Sequence, residues 1–398
     1  MRVLIVHNRH RSGPPSGENR VVDEDAHLLE KAGIQVDLYQ RSNDEIELLS
    51  LAQRAGLAVR PFYSREDVAA FRRRLHTFRP DIVHLHNPFP LISPWVVRTA
   101  KTAGIPVVQT VHNYRHVCPA ATFFRDGHVC HDCEGRRVAW PAAVHRCYRG
   151  SAVQSAGMAL AIAAHRSTWR LVDRYLAISD AVATHLGVAG VPPERITVRT
   201  NAVRDPGPPA PLGRGFLYAG RLHREKGYEL LLSAWEASGL AGHSELVIAG
   251  DGDGRSAVEA VAGGASSVRY VGSVDARGVE QLVREARSVV VPSLWEEPFG
   301  LAVIEAFAGG RPVIGTAVGA IQRLVDDEVG WSVQPTPDSV AAAMREATGS
   351  DAEPRGAAAR LRYEALYSPA RAVEKLEEVY RSVIAASAGA AAGHRAKY

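Results

Sequence analysis

Short, unbroken apolar runs separated by longer stretches of mixed polarity dominate this chain. The runs are Arg2–Val6, Val36–Tyr39, Ile82–Leu85, Val107–Val111, Tyr175–Ile178, Phe216–Ala219, Leu246–Ala249, Val289–Val291 and Pro312–Gly315. A strand with one wet face alternates apolar and polar residues, whereas a strand covered on both faces is apolar throughout. The pattern therefore predicts parallel sheets flanked by helices. So many strand–helix units exceed one sheet of ordinary size, and the expected fold is α/β with two doubly wound, Rossmann-like domains. Arg204–Arg214, RDPGPPAPLGR, packs four prolines and two glycines into eleven residues and can continue neither a helix nor a central strand. It is expected to link a first domain, 1–203, to a second, 215–368. The remaining 369–398 shows helical spacing at Val373, Leu376, Val379 and Val383, with fraying expected from Ser387.

Composition narrows the class. The chain has 398 residues, of which 46% are hydrophobic and 23% charged, which excludes wholesale disorder. No apolar run reaches the ~20 residues of a membrane-spanning helix, and no secretory signal opens the chain, so a cytoplasmic location is expected. The net charge of +4 is uneven: residues 1–200 carry 26 basic and 18 acidic side chains, residues 201–398 carry 21 and 25. No basic run with interleaved aromatics points to nucleic acid. The densest basic patch, Phe71–His76, could touch anionic lipid, but it reads better as the solvated face of a helix, so peripheral membrane contact is not favoured.

Candidate chemistry sits at strand ends, where open α/β sheets bind ligands. After Phe216–Ala219 come Gly220-Arg221-Leu222-His223-Arg224-Glu225-Lys226-Gly227 and then a helix. A guanidinium and an ammonium on a glycine-flanked turn suit a diphosphate, and the same turn could equally be a solvated one. It is not a Walker A loop, because Tyr228 follows where Ser or Thr is needed. After Val289–Val291 the chain reads PSLWEEPFGLAVIEA, residues 292–306. Phe299, Gly300, Leu301 and Ala302 would offer the free N–H groups of a helix start, flanked by Glu297 and Glu305. That suits a ligand bearing hydroxyls and phosphates. The bland reading leaves Glu305 on an exposed helix face and Glu297 beside a cap.

These residues resemble a family. Glu297-x7-Glu305 within EPFGLAVIEA, preceded by GRLHREKG, is similar to the signature of the retaining glycosyltransferases of family 4, which have the GT-B fold. SGENRVV (16–22), DIVHLHN (81–87), TVHN (110–113), IAGDGDGR (248–255), YVGSV (270–274) and GTAVGA (315–320) follow in the family's order. The resemblance spans about Arg2 to Arg381. It implies two Rossmann-like domains facing a cleft, with the C-terminal helix crossing back to the first. It further implies a hexosyltransferase in which Arg221 and Lys226 hold the donor diphosphate, Glu305 the ribose, and Glu297 the transferred sugar. Val274 and Asp275 would face the base, His112 would lie beside the donor sugar, and Gly17 would offer its N–H to the phosphate. The donor is expected to be a UDP- or GDP-sugar, with UDP favoured, and the acceptor a glycan, a lipid-linked sugar or a small natural product. Ser16-Gly17 stands where many relatives have two glycines and Asn113 where many have Asp, which leaves the sugar open. The alternatives are a non-catalytic GT-B-like protein that binds nucleotide-sugar or glycan, and a sugar-nucleotide epimerase.

With cations already placed for the diphosphate, no metal is expected to be required for catalysis. Asp251-Gly252-Asp253 reads as a turn rather than a metal-binding Asp-x-Asp. Cys118, Cys130, Cys133 and Cys147 have the spacing C-x11-C-x2-C-x13-C within an insertion near 114–150. One C-x2-C knuckle and two outer thiols suit a tetrahedral structural zinc, with His116, His128, His131 and His145 as substitute ligands. Reduced or disulfide-linked thiols, or an iron–sulfur centre, are the other readings. Phe89, Trp95 and Trp140 could stack on sugar rings or simply pack.

Overall fold

The computed structural model describes residues 1–12, 16–50, 56–57 and 59–395. The chain divides into two units. Unit 1 comprises Met1–Thr122, His131–Thr200 and Ala372–Tyr398, and unit 2 comprises Phe123–Cys130 and Asn201–Arg371. Strands β1 (Arg2–Arg9), β2 (Gln35–Ser42), β3 (Ile82–Leu85) and β4 (Val107–Val111) precede a small hairpin of β5 (Phe124–Arg125) and β6 (His128–Val129). After β7 (Arg174–Ala177) and β8 (Ile196–Val198), unit 2 adds β9 (Gly215–Ala219), β10 (Leu246–Ala249) and β11 (Val268–Gly272). It closes with β12 (Ala286–Val291), β13 (Val313–Thr316) and β14 (Gly330–Val333).

Each unit is built on a parallel six-stranded sheet, in the order β2-β1-β3-β4-β7-β8 in unit 1 and β11-β10-β9-β12-β13-β14 in unit 2. The central strands are buried along their whole length, as continuous apolar runs require. The expected strands all form. Those the apolar pattern left out are β8, β11 and β14, at sheet edges and partly exposed, together with the two-residue strands of the hairpin.

The core of unit 1 packs Val3, Ile5, Leu29, Val108 and Leu176 against Leu376, Val379, Tyr380 and Val383 of the C-terminal helix. That helix spans Pro369–Arg395, so it runs past Ser387, where fraying was expected. Arg204–Arg214 is likewise no loose tether. The guanidinium of buried Arg311 donates to the carbonyls of Ala210 at 2.8 Å and Pro211 at 3.1 Å, and Arg360 grips Asp205 at 2.8 and 2.9 Å. A proline-rich run has few N–H donors but keeps its carbonyls, and arginines of unit 2 satisfy them.

Candidate functional site

In both sheets the strand order reverses beside the first strand, and ligands of such sheets bind at the carboxyl edge of that switch point. In unit 2 the switch lies between β9 and β12, whose following loops contain Arg221, Lys226 and Glu297. These loops are fused backbone to backbone. Leu294 N–H donates to Glu225 O at 2.9 Å, and Leu222 N–H donates to Asp251 O at 2.9 Å. Gly227 has φ +75°, and a Cβ there would lie 1.8 Å from the carbonyl oxygen of Pro292. Only glycine meets both demands. Gly319 approaches from the loop after β13, where a Cβ would lie 2.6 Å from the backbone nitrogen of Glu297.

Lys226 and Glu297 meet directly. Lys226 Nζ donates to Glu297 Oε1 at 2.5 Å and lies 5.0 Å from the centre of the Trp295 ring. The other oxygen, Oε2, accepts from Trp295 Nε1 at 2.5 Å and Ser293 Oγ at 3.1 Å. Glu297 is thus a nearly buried carboxylate whose oxygens are both held by donors, which fixes its orientation. Arg221 is half-exposed, 3.6 Å from Glu225, and its carbonyl accepts from Tyr218 OH at 2.6 Å. Ser293, Trp295 and Tyr218 had no assigned role in the sequence. Their signal was only positional, since Ser293 and Trp295 stand four and two residues before Glu297.

The helix Leu301–Ala308 begins at Gly300, φ +94°, with no side-chain cap, and Tyr228–Ser238 begins at Gly227 in the same way. By contrast, Ser16, Ser64, Ser151, Ser179, Asp275 and Thr336 each cap a helix with a side-chain oxygen. Helix starts without such a cap leave N–H groups for an anion. Phe299 is buried against Tyr367, Leu301 and Ala302 are partly exposed, and Glu305 is partly exposed further along the helix. Val274 is partly exposed, while exposed Asp275 caps its own helix by accepting from Gly278 N–H at 2.8 Å. Asp251 and Asp253 lie in a turn, and Asp253 is 3.0 Å from His223 Nδ1.

In unit 1, Gly17 is the exposed first residue of the helix Gly17–Lys31, and His112 follows β4. His112 belongs to a group of imidazoles drawn from DIVHLHN (81–87) and TVHN (110–113), whose contacts with one another the motifs do not give. Tyr380 OH is hydrogen-bonded to His84 Nδ1 at 2.6 Å, and His84 Nε2 to Thr110 Oγ1 at 2.7 Å. His84 lies against His86, whose Nδ1 is 2.8 Å from His112 Nε2, with those two rings stacked 17° from parallel. Burial holds His84 and His86 well below the usual histidine range and pushes His112 down to about 4, against the pull of Glu18. All three are therefore neutral at pH 7, so one proton occupies the His86–His112 contact. His86 Nε2 is buried without a partner. A buried, unmet N–H is rarer and costlier than an unmet lone pair, which puts the proton of His86 on Nδ1. His86 then donates to His112 Nε2, and His112 carries its own proton on Nδ1. A pocket of about 30 Å³ is lined by Glu18, His86, Gln109, His112, His116 and Trp169. Gln109 Oε1 and His86 Nε2 have no partner there, so the pocket accepts a hydrogen-bond donor such as a hydroxyl.

The cysteines expected as zinc ligands do not all fall in one unit. Among the described residues no three sulfurs of Cys118, Cys130, Cys133 and Cys147 lie within 4.8 Å of one another. Cys130 belongs with the hairpin to unit 2, whereas the other three belong to unit 1. The basic run at Phe71–His76 buries Phe71 and Leu75 and exposes its arginines, as a solvated helix face should. No helix among the described residues is long and apolar enough to cross a membrane.

Comparison with known proteins agrees with this geometry. Residues 16–202 match the family model described as glycosyl transferase 4-like domain, and residues 213–349 match the model described as glycosyl transferases group 1. A glycosyltransferase of Methanocaldococcus jannaschii is 36% identical over 130 residues, 31% of this chain and 33% of that protein. The phosphatidyl-myo-inositol mannosyltransferase of Mycobacterium leprae is 27% identical over 347 residues, 83% of this chain and 82% of its own. A crystal structure of Anabaena HepE in complex with UDP and glucose superposes with a TM-score of 0.65 at 16% identity, covering 96% of this chain and 99% of that one. With a Rossmann-like sheet in each unit, and both family models matched in order, the chain belongs to the family 4 glycosyltransferases and has their GT-B fold.

Proposed function

We propose that this glycosyltransferase takes its sugar from a nucleoside diphosphate sugar, UDP-linked in preference to GDP-linked, and transfers it with retention of anomeric configuration. The acceptor is a hydroxyl of a glycan, a lipid-linked sugar or a small natural product. The observation that carries the reading is the Lys226–Glu297 pair beside two glycine-started helices at the switch point of the second sheet. The UDP bound by Anabaena HepE and the mannosyl transfer named for the mycobacterial relative support a donor of this class.

The chemistry follows from charge. Breaking the sugar–phosphate bond leaves positive charge at the anomeric carbon and negative charge on the departing diphosphate. Groups fixed before reaction stabilise that charge most. Lys226 and Arg221 are the side-chain cations of the site, and the N-terminus of Leu301–Ala308 adds backbone donors. Glu297, held by Ser293 and Trp295, is a fixed acceptor for a sugar hydroxyl, and Glu305 takes the ribose. Val274 and Asp275 are assigned to the base, and Gly17 and His112 to the phosphate and sugar, on the family resemblance.

A thermal-shift screen against UDP-, GDP-, ADP- and TDP-sugars tests the donor, followed by NMR of the anomeric proton in the product. A melting temperature raised by one nucleotide class, and not raised in Lys226→Ala, is the expected outcome. Stabilisation that persists unchanged in that variant would place the donor elsewhere.

A further inference from the structure

The helix Ala152–Ala164, in unit 1, contains no charged residue in its 13 positions. A helix so rich in apolar residues is ordinarily largely buried. This one buries Ser155, Met158, Ala159, Ala161 and Ile162, but leaves Val153 82% and Leu160 52% exposed. Seven residues is close to two helical turns, so Val153 and Leu160 point within about 20° of each other, with Gly157 and Ala164 along the same stripe. The short helix Pro141–Val144 packs against it, and Tyr148 N–H donates to Ser155 Oγ at 2.9 Å between them. There Trp140 is 55% and Val144 64% exposed. A tryptophan and three aliphatic side chains in water on neighbouring helices are more than the scatter of single apolar residues on a soluble surface.

Charge identifies the occupant. From residue 135 to residue 172 the chain carries six arginines, at 136, 137, 146, 149, 166 and 170, and no aspartate or glutamate. All six are exposed, and the guanidinium of Arg136 lies 5.0 Å from the centre of the Trp140 ring. Apolar side chains with a tryptophan, on a span that carries six arginines and no carboxylate of its own, match the boundary of an anionic bilayer: headgroups meet the guanidinium groups and acyl chains take the aliphatic stripe. A second protein surface would ordinarily be met with carboxylates in the rim as well. We propose that this face of unit 1 docks the protein reversibly on membranes rich in anionic phospholipid. The basic run elsewhere in unit 1 does not compete with it, since the Phe71–His76 helix exposes arginines without apolar side chains between them.

The test is co-sedimentation of the full chain with vesicles of phosphatidylcholine alone or mixed with phosphatidylglycerol. Binding to the mixed vesicles and not to the neutral ones, weakened by salt, is expected. The double variant Val153→Asp/Leu160→Asp should abolish it. Arg137→Ala/Arg146→Ala, which leaves the apolar stripe intact, should weaken it on the order of 25-fold, at roughly five-fold per charge. Circular dichroism checks that each variant is folded. No binding to anionic vesicles at low salt, or binding unchanged in both variants, overturns the proposal. Self-association of the wild-type chain by sedimentation velocity, lost in Val153→Asp/Leu160→Asp, also overturns it, because the occupant is then a second copy.

Discussion

Gly227→Ala isolates what the fused loops of unit 2 contribute. The substitution has two costs that can be separated. The first is conformational, because an L-residue at φ +75° sits in the left-handed region at about 1 kcal/mol. The second is steric. The new Cβ meets the Pro292 carbonyl oxygen at 1.8 Å, and that contact must open to at least 3.0 Å, so the two loops part by more than an ångström. Lys226 is the preceding residue, and Glu297 lies five residues past Pro292 in the opposing loop. Their 2.5 Å contact cannot survive such a movement unchanged. A misplacement of about 1 Å in a reacting site costs roughly 10²-fold, or about 2.7 kcal/mol of transition-state stabilisation.

Gly239→Ala is the control. Gly239 ends the helix Tyr228–Ser238 at φ +70°, and a Cβ there meets nothing within 4 Å. It carries the conformational cost without the clash. Both variants should lose a few degrees of melting temperature, roughly 2–4 °C per kcal/mol for a unit of this size. Only Gly227→Ala should also lose about 10²-fold in kcat/KM and bind UDP weakly by calorimetry. Equal turnover in the two variants would refute the argument that loop contact positions Lys226 and Glu297.

Arg221→Ala and Lys226→Ala should each lower turnover ~10²-fold or more with the fold intact by circular dichroism. Turnover should be unchanged by chelator, and a loss restored by magnesium or manganese would mean that a metal rather than these cations carries the diphosphate. Tyr380→Phe removes the hydroxyl bonded to buried His84 and leaves Nδ1 unmet, which should cost about 1–3 kcal/mol in urea unfolding. His116, pushed down to about 4 by burial, supplies a pH dependence. Between pH 6.5 and 4 the unfolded chain takes up a proton that the folded one refuses, so stability falls with pH across that window and levels off below it. His116→Gln should remove up to about 1.4 kcal/mol per pH unit from that slope, measured as the urea midpoint against pH.

The sheets were legible because burial on both faces writes itself as continuous apolar runs. Edge strands such as β8 and β14 carry a mixed pattern that a loop shares. The donor-side candidates were legible for a related reason: Arg221, Lys226 and Glu297 follow central strands directly, so their place at a sheet edge is set by local sequence. The contacts that hold them were not legible. Whether Lys226 reaches Glu297 depends on the approach of Gly227 to Pro292 and of Gly319 to Glu297, each between residues far apart in the chain. The cysteines show the converse. Spacing can suggest ligands, but a tetrahedral site needs their sulfurs to converge, and spacing alone does not fix that.

The imidazoles of unit 1 carry the same reasoning one step further. His84 and His86 alternate along β3 and its extension, and a two-residue spacing puts both on one side of the strand. Nothing in that spacing says that Tyr380, nearly three hundred residues later, closes the set. The C-terminal helix brings its hydroxyl to His84, His84 packs on His86, and His86 hydrogen-bonds His112. Because every imidazole in the row is kept neutral by burial, each contact admits one proton, and the unpartnered Nε2 of His86 decides which nitrogen holds it. His112 is left with its proton on Nδ1, able to donate to a ligand hydroxyl or phosphate oxygen from that atom. A tautomer that no motif encodes is thus set by the packing of a helix whose own sequence shows only an amphipathic pattern.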